Sequence, residues 1–146
     1  MRLAEPNATV TLLDPTGVVR PRAGALAPRL DTLRGKTMGI VDDGLMNSRV
    51  LLGALADELE RQYCAKSTPP VVKRSVSSPV ASATFAELLR DVDFVLVGVG
   101  LCGGCSSYCV HDAVEFENAG KPAVAIVQDV FASLAEAKKQ RVIVQK

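Results

Sequence analysis

The sequence predicts an α/β fold: a Rossmann-like or flavodoxin-like domain of three layers, with a parallel five-stranded sheet and an extended N-terminal arm. Two observations predict it. Short runs of Val, Ile, Leu and Ala alternate along the chain with stretches whose apolar residues recur at helical spacing. Runs such as Val95-Leu-Val-Gly-Val99 are nearly continuous in apolar residues, as strands covered on both faces are. Alternating strands and helices imply βαβ units, and at this length the spatial strand order is expected to be 2-1-3-4-5.

The elements follow in order. Residues 1–34 form the expected arm, with Thr9–Leu13 as a short strand and Asp14-Pro-Thr-Gly17 as a turn. Its Pro, Gly, Ala and Arg content builds no core, so it is expected to lie over the domain or a second subunit. Residues 35–146 form the domain. The first strand is Thr37–Val41. A polar turn, Asp42-Asp-Gly-Leu-Met-Asn47, leads to a helix from Ser48 to about Tyr63, with Val50, Leu51, Leu55 and Leu59 at helical spacing and Asn47 or Ser48 as its cap. Pro69-Pro70 breaks the chain before a second strand, Val71–Ser75. Thr84 opens a short helix to Arg90, and Asp93–Val99 is the third strand. The helix after the glycine-cysteine loop stops at Gly120. Pro122–Val127 is the fourth strand, Val130–Gln140 the last helix and Val142–Val144 the fifth strand.

The composition excludes several function classes. Seventeen basic and sixteen acidic residues are interspersed, for a net charge of +1, so the chain carries no basic footprint for nucleic acid. No run of about 18 apolar residues is available to cross a bilayer. The first residues lack the apolar centre of a secretion signal. Cysteines in such a chain point to catalysis or metal binding rather than structural disulfides, and a cytoplasmic location is expected.

Three of the four cysteines and the only histidine lie within ten residues, in Cys102-Gly-Gly-Cys-Ser-Ser-Tyr-Cys-Val-His111. A Cys-x-x-Cys pair sits just ahead of a helix, where free amides and the helix dipole stabilise a thiolate. The two glycines allow a tight turn and leave the sulfurs uncovered. Cys102 is therefore the candidate nucleophile and Cys105 the resolving thiol. His111, followed by Asp112, is the candidate acid, base or pKa-tuning group. Metal binding by the three thiols and His111 is the competing reading, but Cys-x2-Cys-x3-Cys-x-His matches no standard ligand set. Residues 109 and 111 also differ by about 200° around a helix axis. Gly98-Val-Gly-Leu-Cys-Gly103 fits G-x-G-x-x-G formally, yet two units precede it, whereas the dinucleotide fingerprint belongs to the first. No cofactor is called for. In an open parallel sheet, ligands bind beyond the carboxyl ends of the strands at the switch point, which brings the loop of Asp42, Asp43 and Asn47 beside the cysteines. Those three residues, with Gly103, Gly104 and Ser106, are the candidate substrate contacts.

On these residues the chain resembles the UGSC family of selenoproteins and their cysteine-containing relatives, named for the motif selenocysteine-Gly-Ser-Cys. Cys102-Gly-Gly-Cys105 stands at the motif, and Val110-His-Asp-Ala113 follows at the family's spacing. The likeness extends to Leu13-Asp-Pro-Thr16, Leu33-Arg-Gly-Lys36 and Asp42-Asp-Gly-Leu-Met-Asn47. Gly104 replaces the motif's Ser, and Cys102 replaces selenocysteine. The resemblance implies redox or nucleophilic chalcogen chemistry at position 102 and names no reaction.

The resulting expectation is a thiol-dependent enzyme acting on a small molecule, recycled by a cellular thiol reductant and working as a homo- or hetero-oligomer. Two other classes compete with it. One is a non-catalytic module whose thiols hold a metal or sulfur cargo. The other is a partner subunit of a larger enzyme, docked through the arm.

Overall fold

The computed structural model describes residues 26–133 and the backbone of 142–145. The strand and turn expected at 9–17, and most of the last expected helix, lie outside the described residues. The elements are β1 (Thr37–Asp42), α1 (Ser48–Tyr63), β2 (Lys66–Ser67), β3 (Val71–Val72), α2 (Ser82–Asp91), β4 (Phe94–Gly100), α3 (Gly103–Asn118), β5 (Ala123–Gln128), a 3-10 turn at Asp129–Phe131, and β6 (Val142–Gln145).

All strand pairs are parallel. The sheet runs β2-β1-β4-β5-β6, and β3 also pairs with β1. Thr37 and Met38 face Lys66 and Ser67, while Val41 and Asp42 face Val71 and Val72. Thus β2 and β3 share one edge position, and the sheet has five positions in the order 2-1-3-4-5. The single second strand expected at 71–75 is two short pieces. Pro69 and Pro70 lie between them and bring no N–H to the ladder. Thr68 N still reaches Met38 O at 2.9 Å, and Lys73 N reaches Asp42 O at 2.9 Å.

Burial on both faces explains the continuous apolar strands. Every residue of β4 is buried. Alternate side chains divide between two cores. Met38, Ile40, Leu96 and Ile126 pack with Leu52 and Ala56 of α1. Val41, Val95, Val97 and Ala125 pack with Leu88 of α2 and with Cys109, Val110, Ala113 and Phe116 of α3. The result is three layers: α1, the sheet, and α2 with α3. Each fully buried aliphatic side chain contributes about 1.5–3 kcal/mol relative to exposure.

Two helix starts differ in detail from expectation. Asn47 is the cap of α1 by position, but in a left-handed conformation (φ 65°) with no side-chain cap bond. The second helix begins at Ser82 rather than Thr84, because Phe85 N already bonds Ala81 O at 2.8 Å. The stop at Gly120 is as expected, with φ 81°.

Part of the arm is described, and it packs on the domain. Ala27 is buried. Its N–H donates to Glu117 Oε2 at 2.7 Å, and Arg29 Nη1 donates to Glu117 Oε1 at 2.6 Å.

Candidate functional site

Parallel pairing of β1 with β4 places their carboxyl ends together. Asp43 N–H donates to Gly98 O at 2.7 Å, which ties the loop after β1 to the end of β4. The chain then turns through Leu101 into α3, with Cys102 as the helix cap. Gly100 permits that turn at close quarters: a Cβ there would stand 2.6 Å from both Cα and Oγ of Ser106.

Cys102 is exposed, and Cys105 is fully buried. The sulfurs are paired as a disulfide, with the Cα atoms 5.3 Å apart. The N–H groups of Leu101 and Cys102 point at Cys105 Sγ, at 3.2 and 2.7 Å, and Cys105 N–H points at Cys102 Sγ at 3.2 Å. Both sulfurs therefore face amide dipoles at the positive end of a sixteen-residue helix. Gly103 and Gly104 are exposed beside Cys102. A Cβ on Gly103 would lie 3.9 Å from Phe131, and one on Gly104 would lie 3.2 Å from Ser77 Oγ.

Beneath the disulfide runs a polar stripe. Cys105, Cys109 and Asp112 recur at i, i+4 and i+7 on the inward face of α3, and all three are buried. Cys109 Sγ donates to Asp43 Oδ2 at 2.8 Å. Lys73 Nζ donates to Asp112 Oδ2 at 2.8 Å and stands 3.1 Å from Asp43 Oδ1, an ion pair off the hydrogen-bond angle. The Lys73 side chain is 1% exposed. Asp112 Oδ1 also accepts from Val80 N at 3.1 Å. Burial pushes the Cys109 thiol well up, reinforced by the neighbouring Asp43, so Cys109 stays protonated. Burial likewise holds the Asp43 carboxyl above its ordinary range, against the opposing pull of Cys109 and Lys73. Lys73 is pushed down by burial, but Asp112 and Asp43 together outweigh that and hold its ammonium above the ordinary value.

The sequence-predicted residues fall into two groups. Cys102, Cys105, Gly103 and Gly104 form one continuous corner. Asp42 and Asp43, expected on a substrate face, are 2% and 1% exposed and engaged inside the protein. Asp42 Oδ1 accepts from Gly44 N at 2.8 Å and from Ser48 Oγ at 2.5 Å. Ser106 is fully buried against Gly100, and its Oγ has no hydrogen-bond partner among the described residues. His111, partly buried, lies about 240° around the helix axis from Cys105. Its Nδ1 is 3.5 Å from Asp112 Oδ1 and its ring centroid 6.0 Å from that of Tyr108. It lies six residues beyond Cys105, about 9 Å along the helix axis. Cys64 is exposed at the end of α1, with Arg34 Nη1 at 3.4 Å from its sulfur.

Asn47 is exposed and borders a cavity of about 300 Å³, together with Leu51, Val99, Leu101, Gln128 and Asp129. This cavity sits at the carboxyl ends of β4 and β5, directly before Cys102 in the chain. Lys73, Gln128 and Asp129 are the residues that sequence reasoning did not select. The only signal for Lys73 was its place as the first of two cations, Lys73-Arg74, following two valines in a strand pattern. Among the described residues, no three of His, Cys, Asp and Glu converge so as to hold a metal ion.

Fold and site together define a class: a parallel α/β protein of doubly wound topology that presents a Cys-Gly-Gly-Cys corner at a helix N-terminus on the switch-point edge of its sheet. The sequence model of the UGSC family matches residues 11–142, which is most of the chain, and the protein belongs to the UGSC family. Neither a curated protein nor a solved structure matches it.

Proposed function

We propose that the protein is a thiol-dependent enzyme in which Cys102 attacks a small molecule and Cys105 resolves the adduct. The observation that carries this reading is the asymmetry of the pair: an exposed cysteine at a helix cap, joined to a fully buried one whose sulfur is held by two amides. An exposed thiolate is free to meet a substrate, and a buried neighbour within bonding reach intercepts the product before solvent does.

For an electrophilic disulfide the step balances as follows. The Cys102 thiolate attacks one sulfur of the substrate, and the other leaves as a thiolate. The Cys105 thiolate then attacks Cys102 Sγ, expels the second half of the substrate as a thiolate, and closes the Cys102–Cys105 bond. Two electrons pass from the protein to the substrate. A cellular thiol reductant restores the dithiol. His111 is too far along α3 to share this step directly, and its contacts suit it to holding Asp112. The cytoplasm, whose glutathione and thioredoxin systems keep thiols reduced, suits this chemistry. The fold has no helix long and apolar enough to cross a membrane among the described residues.

The test is alkylation of the reduced protein with iodoacetamide, read by mass at each cysteine across pH. Cys102 is expected to react at least tenfold faster than Cys64 at neutral pH and to titrate below the free thiol value of about 8.5. Cys105→Ser is expected to accumulate a mixed disulfide at Cys102 with a small disulfide probe. Equal rates at Cys102 and Cys64 would defeat the proposal.

A further inference from the structure

We infer that the cavity bordered by Asn47, Leu51, Val99, Leu101, Gln128 and Asp129 is a subsite for a small primary amine with an apolar body. The inference rests on Cys102 as the reactive thiol only in taking the bound amine to be substrate. At about 300 Å³ the cavity lies at the lower end of the range for ligand pockets. Leu51, Val99 and Leu101 supply apolar wall, and Leu101 leads directly into Cys102.

The polar wall decides the charge of the occupant. Asp129 is the one formally charged residue among the described residues lining the cavity. Its Oδ1 accepts from Val130 N at 2.8 Å, and its Oδ2 has no hydrogen-bond partner among the described residues. The side-chain amides of Asn47 and Gln128 likewise make no hydrogen bond there. A carboxylate with an open oxygen and two open amides suit a donor-rich ammonium group, whose three hydrogens need acceptors. An anion would meet Asp129 with no basic side chain among the described lining residues to offset it.

The positive end of α1 also borders this cavity and would by itself favour an anion. It is already met from inside. The Asp42 carboxyl lies against the first turn, accepting from Gly44 N and Ser48 Oγ. The α1 terminus therefore already faces a carboxyl group, and the open charge in the cavity is that of Asp129.

The test is a methyl-resolved NMR titration of the reduced full-length chain at neutral pH with n-butylamine, butan-1-ol and butanoate. Butylammonium is expected to shift the methyls of Leu51, Val99 and Leu101 and to bind at least tenfold more tightly than butanoate, with the alcohol between. Asp129→Asn is expected to lose at least fivefold of the amine affinity. Bound butylammonium is also expected to slow alkylation of Cys102 at least threefold. Equal or tighter binding of butanoate, shifts outside the cavity, or cavity binding without protection of Cys102 would each overturn the inference. Alkylation of Cys102 against Cys64 needs no amine, so failure of the thiol reading and failure of the subsite are read separately.

Discussion

The Cys109 thiol donates its hydrogen to Asp43 Oδ2 at 2.8 Å, across 66 positions of sequence. This contact joins the inward face of α3 to the loop after β1. Lys73 completes the join by holding both Asp43 and Asp112, so three separate segments meet on one ammonium group. The cysteine corner is mounted on that assembly.

Removing the cation should be costly. Lys73→Met leaves Asp43 and Asp112 buried without their counter-charge. Breaking a buried ion pair from one side costs about 3–5 kcal/mol. Urea unfolding of the variant is expected to show a loss of that order, and a loss below about 1 kcal/mol would contradict the network as described.

Asp43 imposes a pH dependence. Its pKa in the folded protein is held above 3.8, chiefly by burial, so the folded state binds the proton more tightly than the unfolded chain does. The stabilisation from this group is fully present below 3.8 and is lost as pH rises through the raised value. Asp43→Asn cannot ionise and removes this loss. As pH rises from 3.8 through the raised value, the wild-type unfolding free energy should fall relative to that of the variant. Parallel profiles would show that Asp43 titrates alike in both states.

Gly100→Ala tests the close approach behind Cys102. The added methyl would meet Ser106 Cα, a backbone atom that cannot swing aside, so α3 must shift. Overpacking of this kind costs about 1–3 kcal/mol. Gly103→Ala, with its nearest neighbour at 3.9 Å, should cost far less. Thermal unfolding of the two variants side by side distinguishes a steric requirement from a general intolerance of the loop.

Glu117 binds the described part of the arm by hydrogen bonds, beside the packing of Leu30 and Leu33 on the core. It is 3% exposed and accepts from Ala27 N, from both terminal nitrogens of Arg29 and from Ala123 N. Glu117→Ala should raise amide exchange at Ala27 at least tenfold while leaving β4 protected. Unchanged exchange at Ala27 would mean that other contacts hold the arm.

The layers and the switch-point edge were legible in the sequence because they depend on periodicity. Val95 to Val99, the recurrence of Leu51, Leu55 and Leu59, and Gly120 announce strand, helix and helix stop without reference to anything distant. The buried pair on α1 is nevertheless Leu52 with Ala56, and Val50, read with the apolar set, is 71% exposed. The cysteine corner was legible because its chemistry is local to four residues. The buried network was not. Asp42-Asp43-Gly44 has the composition of an exposed turn, and nothing near it in sequence says that Lys73 and Cys109 will close over Asp43. Lys66–Ser67 escaped notice because both residues are exposed and have no apolar pattern to read.

The divided edge beside β1 bears on how copies of this chain can assemble. An open strand edge is a template that invites another chain to extend the sheet, and proteins blunt such edges with proline, charge and brevity. Here all three act together: two strands of two residues each, a Pro-Pro pair between them, and Lys66 at the start. Among the described residues, that side of the sheet is poorly suited to growth by strand addition, and replacing Pro69 and Pro70 together is expected to weaken this protection.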